Sequence, residues 1–177
     1  MSEIGARAFF KNGKTIVETQ DNVKMLHEAG YGNLHNDNLP LVLSNPEALY
    51  LLSEEKISII NSDDGRQLSF TELAKTLHSI DKENWTKYLI YRDLRSRGYV
   101  VRDGFGFGID FRVYERGEYD KKVAKFVVWG IHEGMMISLH SLMGTLHAVQ
   151  NMKKELILAV IDRRGEIVYY SLSQITF

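Results

Sequence analysis

The chain contains no cysteine, which excludes disulfide staples, thiolate metal sites and a cysteine nucleophile. Proline is nearly as scarce, at two in 177 residues, so no Pro-rich linker divides the sequence and any domain boundary must be marked by something else. No apolar run has the length of a membrane-spanning helix. The stretch Met1 to Phe10 lacks the basic start, apolar middle and small-residue cleavage site of a secretory signal, so a cytoplasmic protein with no membrane partner is expected. A charge excess of either sign is missing as well: 22 Lys and Arg against 23 Asp and Glu leave a net charge of −1. Proteins that grip phosphates by themselves usually carry a basic excess, so any RNA contact must come from a local patch or from a partner chain. What is present is ordinary for a globular protein, with 44% hydrophobic and 25% charged residues. The length suits one large domain or two small ones.

Along the chain, alternating apolar positions from Gly5 to Val17 around Lys11-Asn12-Gly13-Lys14 predict a β-hairpin. Asp21 to Ala29 reads as a weak helix or loop, and Gly30-Tyr31-Gly32-Asn33 opens a polar loop running to Pro40. Ser44-Asn45-Pro46-Glu47 is a helix start, with a capping side chain, a proline suited to the first turn and an acid at the positive end of the dipole. Ile57 to Ile60 predicts a short strand, and Ser69-Phe70-Thr71-Glu72 opens a helix ending near Asp81. A soft boundary falls between His78 and Trp85. Beyond it a helix spans Trp85 to Arg97, stopped by Gly98. Strands are expected at Tyr99–Arg102, Phe111–Tyr114 and Lys125–Trp129, followed by a helix from about Ser138 to Lys153. A final hairpin, Leu156–Ile161 and Ile167–Leu172, turns at Asp162-Arg163-Arg164-Gly165. The uninterrupted apolar run of its first strand marks an interior position.

Several patterns invite a chemical reading and fall short of one on their own. Gly104-Phe105-Gly106-Phe107-Gly108 looks like a phosphate loop, but a strand follows where a helix N-terminus is required, so a bend between strands is expected. His132, His140 and His147 lack a carboxylate at ligand spacing, so no metal site and no cofactor is expected. Tyr88, Tyr91, Arg92, Arg95, Arg97, Tyr99 and Arg102 interleave aromatics with arginines, which fits either an RNA surface or an amphipathic helix with a solvated basic face. Composition favours the second.

One long segment is more specific. Tyr88-Leu-Ile-Tyr-Arg-Asp-Leu-Arg-Ser-Arg-Gly-Tyr-Val-Val101 is followed by Gly104-Phe-Gly-Phe-Gly-Ile-Asp-Phe-Arg-Val-Tyr-Glu-Arg-Gly117. This order of LRxRGY helix, Gly-rich turn and DFRVY strand resembles the core of archaeal tRNA-intron endonucleases. The run Leu156-Ile-Leu-Ala-Val-Ile-Asp-Arg-Arg-Gly-Glu-Ile-Val-Tyr-Tyr170 resembles the same family's last hairpin. Tyr31-Gly-Asn33, Pro46-Glu-Ala-Leu-Tyr-Leu51 and Leu68-Ser-Phe-Thr-Glu-Leu73 extend the resemblance over nearly the whole chain. The fold it implies is mixed α/β (α+β). A small N-terminal α/β domain, 1–80, would pack on a C-terminal endonuclease-like domain, 81–177, with a mixed sheet flanked by helices.

The resemblance implies metal-independent cleavage of precursor tRNA at bulge–helix–bulge motifs. The 2′-hydroxyl attacks the adjacent phosphate and leaves a 2′,3′-cyclic phosphate and a 5′-hydroxyl. In the family a Tyr acts as general base, a His as general acid, and a Lys steadies the phosphate charge. Tyr114 matches the first, and Lys154, with Lys153 beside it, matches the last. The His normally opens a strand of the form His-small-x-aromatic-Leu-Val; here the segment is Val123-Ala-Lys-Phe-Val-Val128, which puts Val123 in its place. Where relatives carry a base-stacking Arg on the preceding helix, this chain has His147 as the RNA-binding candidate. The resemblance therefore implies a structural subunit, inert by itself and active as part of a heterotetramer with a catalytic endonuclease subunit. Asp162 and Glu166 of the acidic loop are candidates for one subunit contact, and the C-terminal strands for a homodimer contact. Two other readings stay open: a catalytically competent chain whose His lies elsewhere because of an insertion, and a non-enzymatic RNA-binding module.

Overall fold

The structure, a computed structural model, describes residues 5–35, 39–119 and 121–175. It divides into two compact units at Tyr91 and Arg92, within a helix. The first unit contains β1 (Ala6–Lys11), β2 (Lys14–Val17), α1 (Gln20–Glu28), β3 (Asn33–Leu34), β4 (Leu41–Leu43), α2 (Asn45–Ser53), β5 (Ile57–Asn61), β6 (Gln67–Leu68) and α3 (Phe70–Ile80). The helix α4 (Asn84–Ser96) runs across the division. The second unit continues with β7 (Val100–Gly106), β8 (Ile109–Tyr114), β9 (Phe126–His132), α5 (Leu139–Asn151), β10 (Glu155–Ile161) and β11 (Ile167–Leu172). Each unit is built on one mixed sheet with helices, the mixed α+β class expected from the sequence.

In the first unit the strand order is β3-β4-β2-β1-β5-β6. The β1–β5 pair is parallel, and the other pairs are antiparallel. Val17, Leu41, Leu49, Leu51, Ile59, Leu73 and Leu77 are buried in its core. Both predicted helix starts close as capping boxes. Ser44 Oγ accepts from the Glu47 amide, Ser69 Oγ accepts from the Glu72 amide, and each glutamate accepts in return from the amide of its capping serine. Glu47 is itself buried, and its carboxylate accepts from the amides of Ser44 at 2.9 Å and Gly32 at 3.1 Å. It thereby ties the first turn of α2 to the loop after α1.

The segment expected to be a polar loop is more ordered than its composition indicates. It holds β3, and β4 follows directly on Pro40; residues 36–38 of the expected loop lie outside the described residues. These strands, like β6, are two or three residues long, too short for an alternating pattern to register.

The second unit has the order β11-β10-β9-β8-β7. Only β9 and β10 are parallel, and α5 is the crossover between them. Leu146 and Val149 of α5 cover one face of the sheet, against Val127 and Leu156. On the other face Leu94, Arg97, Tyr99, Val113, Phe126, Val128, Ile157 and Tyr169 line a cleft of about 210 Å³. The glycine-rich segment is not a simple bend. Strand β7 continues through Gly104 to Gly106, with the register against β8 shifting between Asp103 and Gly106, and the turn is made by Phe107 and Gly108. A Cβ on Gly104 would lie 2.0 Å from the Ile109 carbonyl oxygen, so this bulge admits only glycine. Strand β9 also runs to His132 rather than stopping near Trp129.

Candidate active site

Tyr114 closes β8, opposite Val100 of β7. It alternates on that strand with Arg112, which lies opposite Val127, so both belong to the face that α5 covers. The Tyr114 ring is held edge-on by Tyr119, with centroids 5.1 Å apart, and the Arg102 guanidinium lies 5.9 Å from the Tyr119 centroid. The segment after Tyr114 is folded tightly. The amides of Lys121 and Lys122 both donate to the Glu118 carbonyl, and Gly117 supplies a positive φ of 71°. Val123 lies three residues before β9 opens at Phe126.

Lys154 is placed by the end of α5. The helix closes at Met152, and Lys153 takes a φ of 55°, the left-handed conformation that ends many helices. The Lys154 amide then returns to the Val149 carbonyl at 3.2 Å. Of the two neighbouring lysines, Lys153 is exposed and Lys154 half-buried. The Lys154 ammonium donates to the backbone carbonyl of Ala124, the residue directly after Val123. Burial first, and the neighbouring Arg112 guanidinium second, hold the Lys154 ammonium below its ordinary pKa. The structure thus brings Lys154, the Val123–Ala124 segment and the Tyr114 end of β8 to one end of the sheet.

Val123 is 83% exposed, whereas Ala124 is 3% exposed. The valine therefore serves no packing role, and its side chain can neither give nor take a proton. His132 ends β9, roughly 20 Å along the strand from Phe126 at ~3.3 Å per residue, too far to act at Val123. His147 is exposed on α5. Asp162 and Glu166 sit at the β10–β11 turn, but in different states. Asp162 Oδ1 accepts from the amides of Arg164 and Glu166, both at 2.8 Å, so that carboxylate shapes the turn it belongs to. Glu166 is exposed. Among the described residues no group of three or more His, Asp or Glu could hold a metal ion.

The aromatic–arginine interleaving of α4 is not a stacking platform, because Tyr88 and Tyr91 are buried at 2% and 1% exposure. Two further residues stand near the site, Tyr119 and Arg112. Tyr119 buttresses Tyr114 and lies in a loop with no periodicity to flag it. Arg112 was legible in principle, because a residue two before Tyr114 on the same strand must share its face.

Comparison with known proteins places these features in context. The model of the tRNA intron endonuclease catalytic C-terminal domain matches residues 84–169, and that of the tRNA intron endonuclease N-terminal domain matches residues 6–74. The tRNA-splicing endonuclease of Methanococcus vannielii is 36% identical over 159 residues, covering 90% of this chain and 88% of the relative. That of Pyrococcus horikoshii is 30% identical over 171 residues, 96% of each chain. That of Thermococcus onnurineus is 32% identical over 173 residues, covering 98% and 94%.

Proposed function

This chain belongs to the tRNA intron endonuclease family, and from that premise we propose that it is the structural subunit of an enzyme that excises introns from precursor tRNA. The enzyme would cut at bulge–helix–bulge motifs and leave a 2′,3′-cyclic phosphate and a 5′-hydroxyl. The observation that carries the structural role is Val123. It occupies the place of the family's general-acid histidine, with Lys154 bound to the next carbonyl, and it offers no titratable atom. Absence of a general acid typically forfeits ~10²–10⁴ in rate. Tyr114 and Lys154 keep positions from which a 2′-hydroxyl could be deprotonated and a phosphate steadied, so the site lacks one function rather than its whole framework. A histidine-bearing relative would supply the cut, and this chain would hold two such partners at the spacing of the two splice sites.

Because Val123 is exposed, a histidine there meets no packing obstacle. The test is Val123→His, assayed in a complex whose catalytic partner has had its own general-acid histidine replaced by alanine. With the native chain this complex should be silent on a bulge–helix–bulge RNA. With Val123→His, cleavage should rise by at least ~10²-fold. Cleavage by the complex containing the native chain would refute the structural role.

A further inference from the structure

We propose that Arg112 is a second cation of this site and that, together with Lys154, it seats one phosphodiester of an RNA strand. The anion chemistry rests on the geometry; naming RNA as its source rests on the family reading. Arg112 and Tyr114 share a strand face, roughly 7 Å apart at ~3.3 Å per residue, and Lys154 enters beside them from the end of α5. Arg112 Nε donates to the Asp103 carbonyl at 2.8 Å, and its guanidinium lies 6.0 Å from the centroid of the Phe105 ring. These contacts fix the plane of the fork while leaving its terminal N–H groups without a hydrogen bond among the described residues. Lys154 spends one donor on the Ala124 carbonyl and has further donors in hand. Among the described residues neither cation has a carboxylate within ion-pair distance.

Two adjacent, half-buried like charges repel each other, and this repulsion adds to burial, the larger cause, in holding the Lys154 pKa below its ordinary value. A phosphodiester between them offsets that repulsion with two attractions. The planar fork of an arginine matches two phosphate oxygens, where a lysine acts as a point charge. Arg112 is therefore the member that orients the phosphate. It gives a chain of net charge −1 the local basic patch that RNA contact requires.

The experiment titrates the intact isolated chain with inorganic phosphate while following the ¹⁵N signals of Lys154 Nζ and Arg112 Nε. In parallel, binding of a bulge–helix–bulge RNA made uncleavable by a 2′-deoxy residue at the cut position is measured over a range of salt. Phosphate should shift both side-chain signals with one common affinity. Arg112→Gln should weaken phosphate and RNA binding about tenfold and lower the salt slope for RNA by about one. Arg112→Lys keeps the charge but loses the fork, so it should hold the RNA salt slope while weakening phosphate and RNA binding about threefold to tenfold. It carries the test if the glutamine variant does not fold, and native affinity in it would overturn the proposal. Unmoved Arg112 and Lys154 signals, or a folded Arg112→Gln variant with native RNA affinity and salt slope, would overturn the proposal. A phosphate response at both side chains, in a chain that completes no splicing complex, would uphold the seat and count against the family role. Splicing activity without that response would do the reverse.

Discussion

Val123 and Glu47 show how differently two single residues depend on their surroundings. The valine faces solvent and can be exchanged for a polar residue with little effect on stability, which is why a histidine there reports on chemistry alone. Glu47 is 2% exposed and satisfies two backbone amides. Glu47→Ala strands both donors and should cost about 2–4 kcal/mol, read as a lower urea midpoint with unchanged slope. Thr15 is the opposite case. It is fully buried, and its hydroxyl has no hydrogen-bond partner among the described residues. Thr15→Val removes an unsatisfied polar group at nearly constant volume, and thermal unfolding should move upward, by up to about 1 kcal/mol in stability. A drop in melting temperature would show that the hydroxyl is partnered in solution.

At the scale of elements, the second unit carries a test in how β11 is tied to α4. The Tyr169 hydroxyl donates to the Asp93 carboxylate at 2.7 Å, and Arg97 Nε pairs with the same oxygen at 2.8 Å. Burial first, then the bond to Asp93, pushes the Tyr169 pKa far above its ordinary value. A group whose pKa is raised on folding contributes stability fully present below its unfolded value, about 10 for tyrosine, and lost as pH rises above it. Denaturation at pH 8 and pH 11 should therefore show a larger loss of stability for the native chain than for Tyr169→Phe. At pH 8 the phenylalanine variant should be weaker by about 1–2 kcal/mol.

Elements also set what the sequence could tell. The caps at Ser44 and Ser69 were legible because a side chain and its target amide are three residues apart and local. The hairpin β10–β11 and the interior place of β10 were legible from a continuous apolar run. Strands β3, β4 and β6 were not, because two or three residues leave no period to detect. The continuation of β7 through Gly104 was hidden because glycine reads as a bend, whereas here it is needed for a close backbone approach. Within the candidate site, Tyr114, Lys154 and Val123 were named by resemblance, whereas the lack of an acid partner that singles out Arg112 is visible only in the fold.

For the whole molecule, the account requires assembly. Strand β11 is an edge of its sheet, and Val168 and Tyr170 on it are exposed at 51% and 55%. Such an edge invites pairing with another chain. The native mass should exceed that of the monomer, and a Val168→Lys, Tyr170→Lys double variant should shift it toward the monomer while leaving circular dichroism unchanged. The central claim, that this chain completes the enzyme without cutting, is tested most directly by one cleavage assay on a bulge–helix–bulge RNA. It is run with the purified chain alone and then with a histidine-bearing family subunit added. The account predicts no cleavage alone and cleavage at both junctions with the partner present; efficient cleavage by the isolated chain would contradict it.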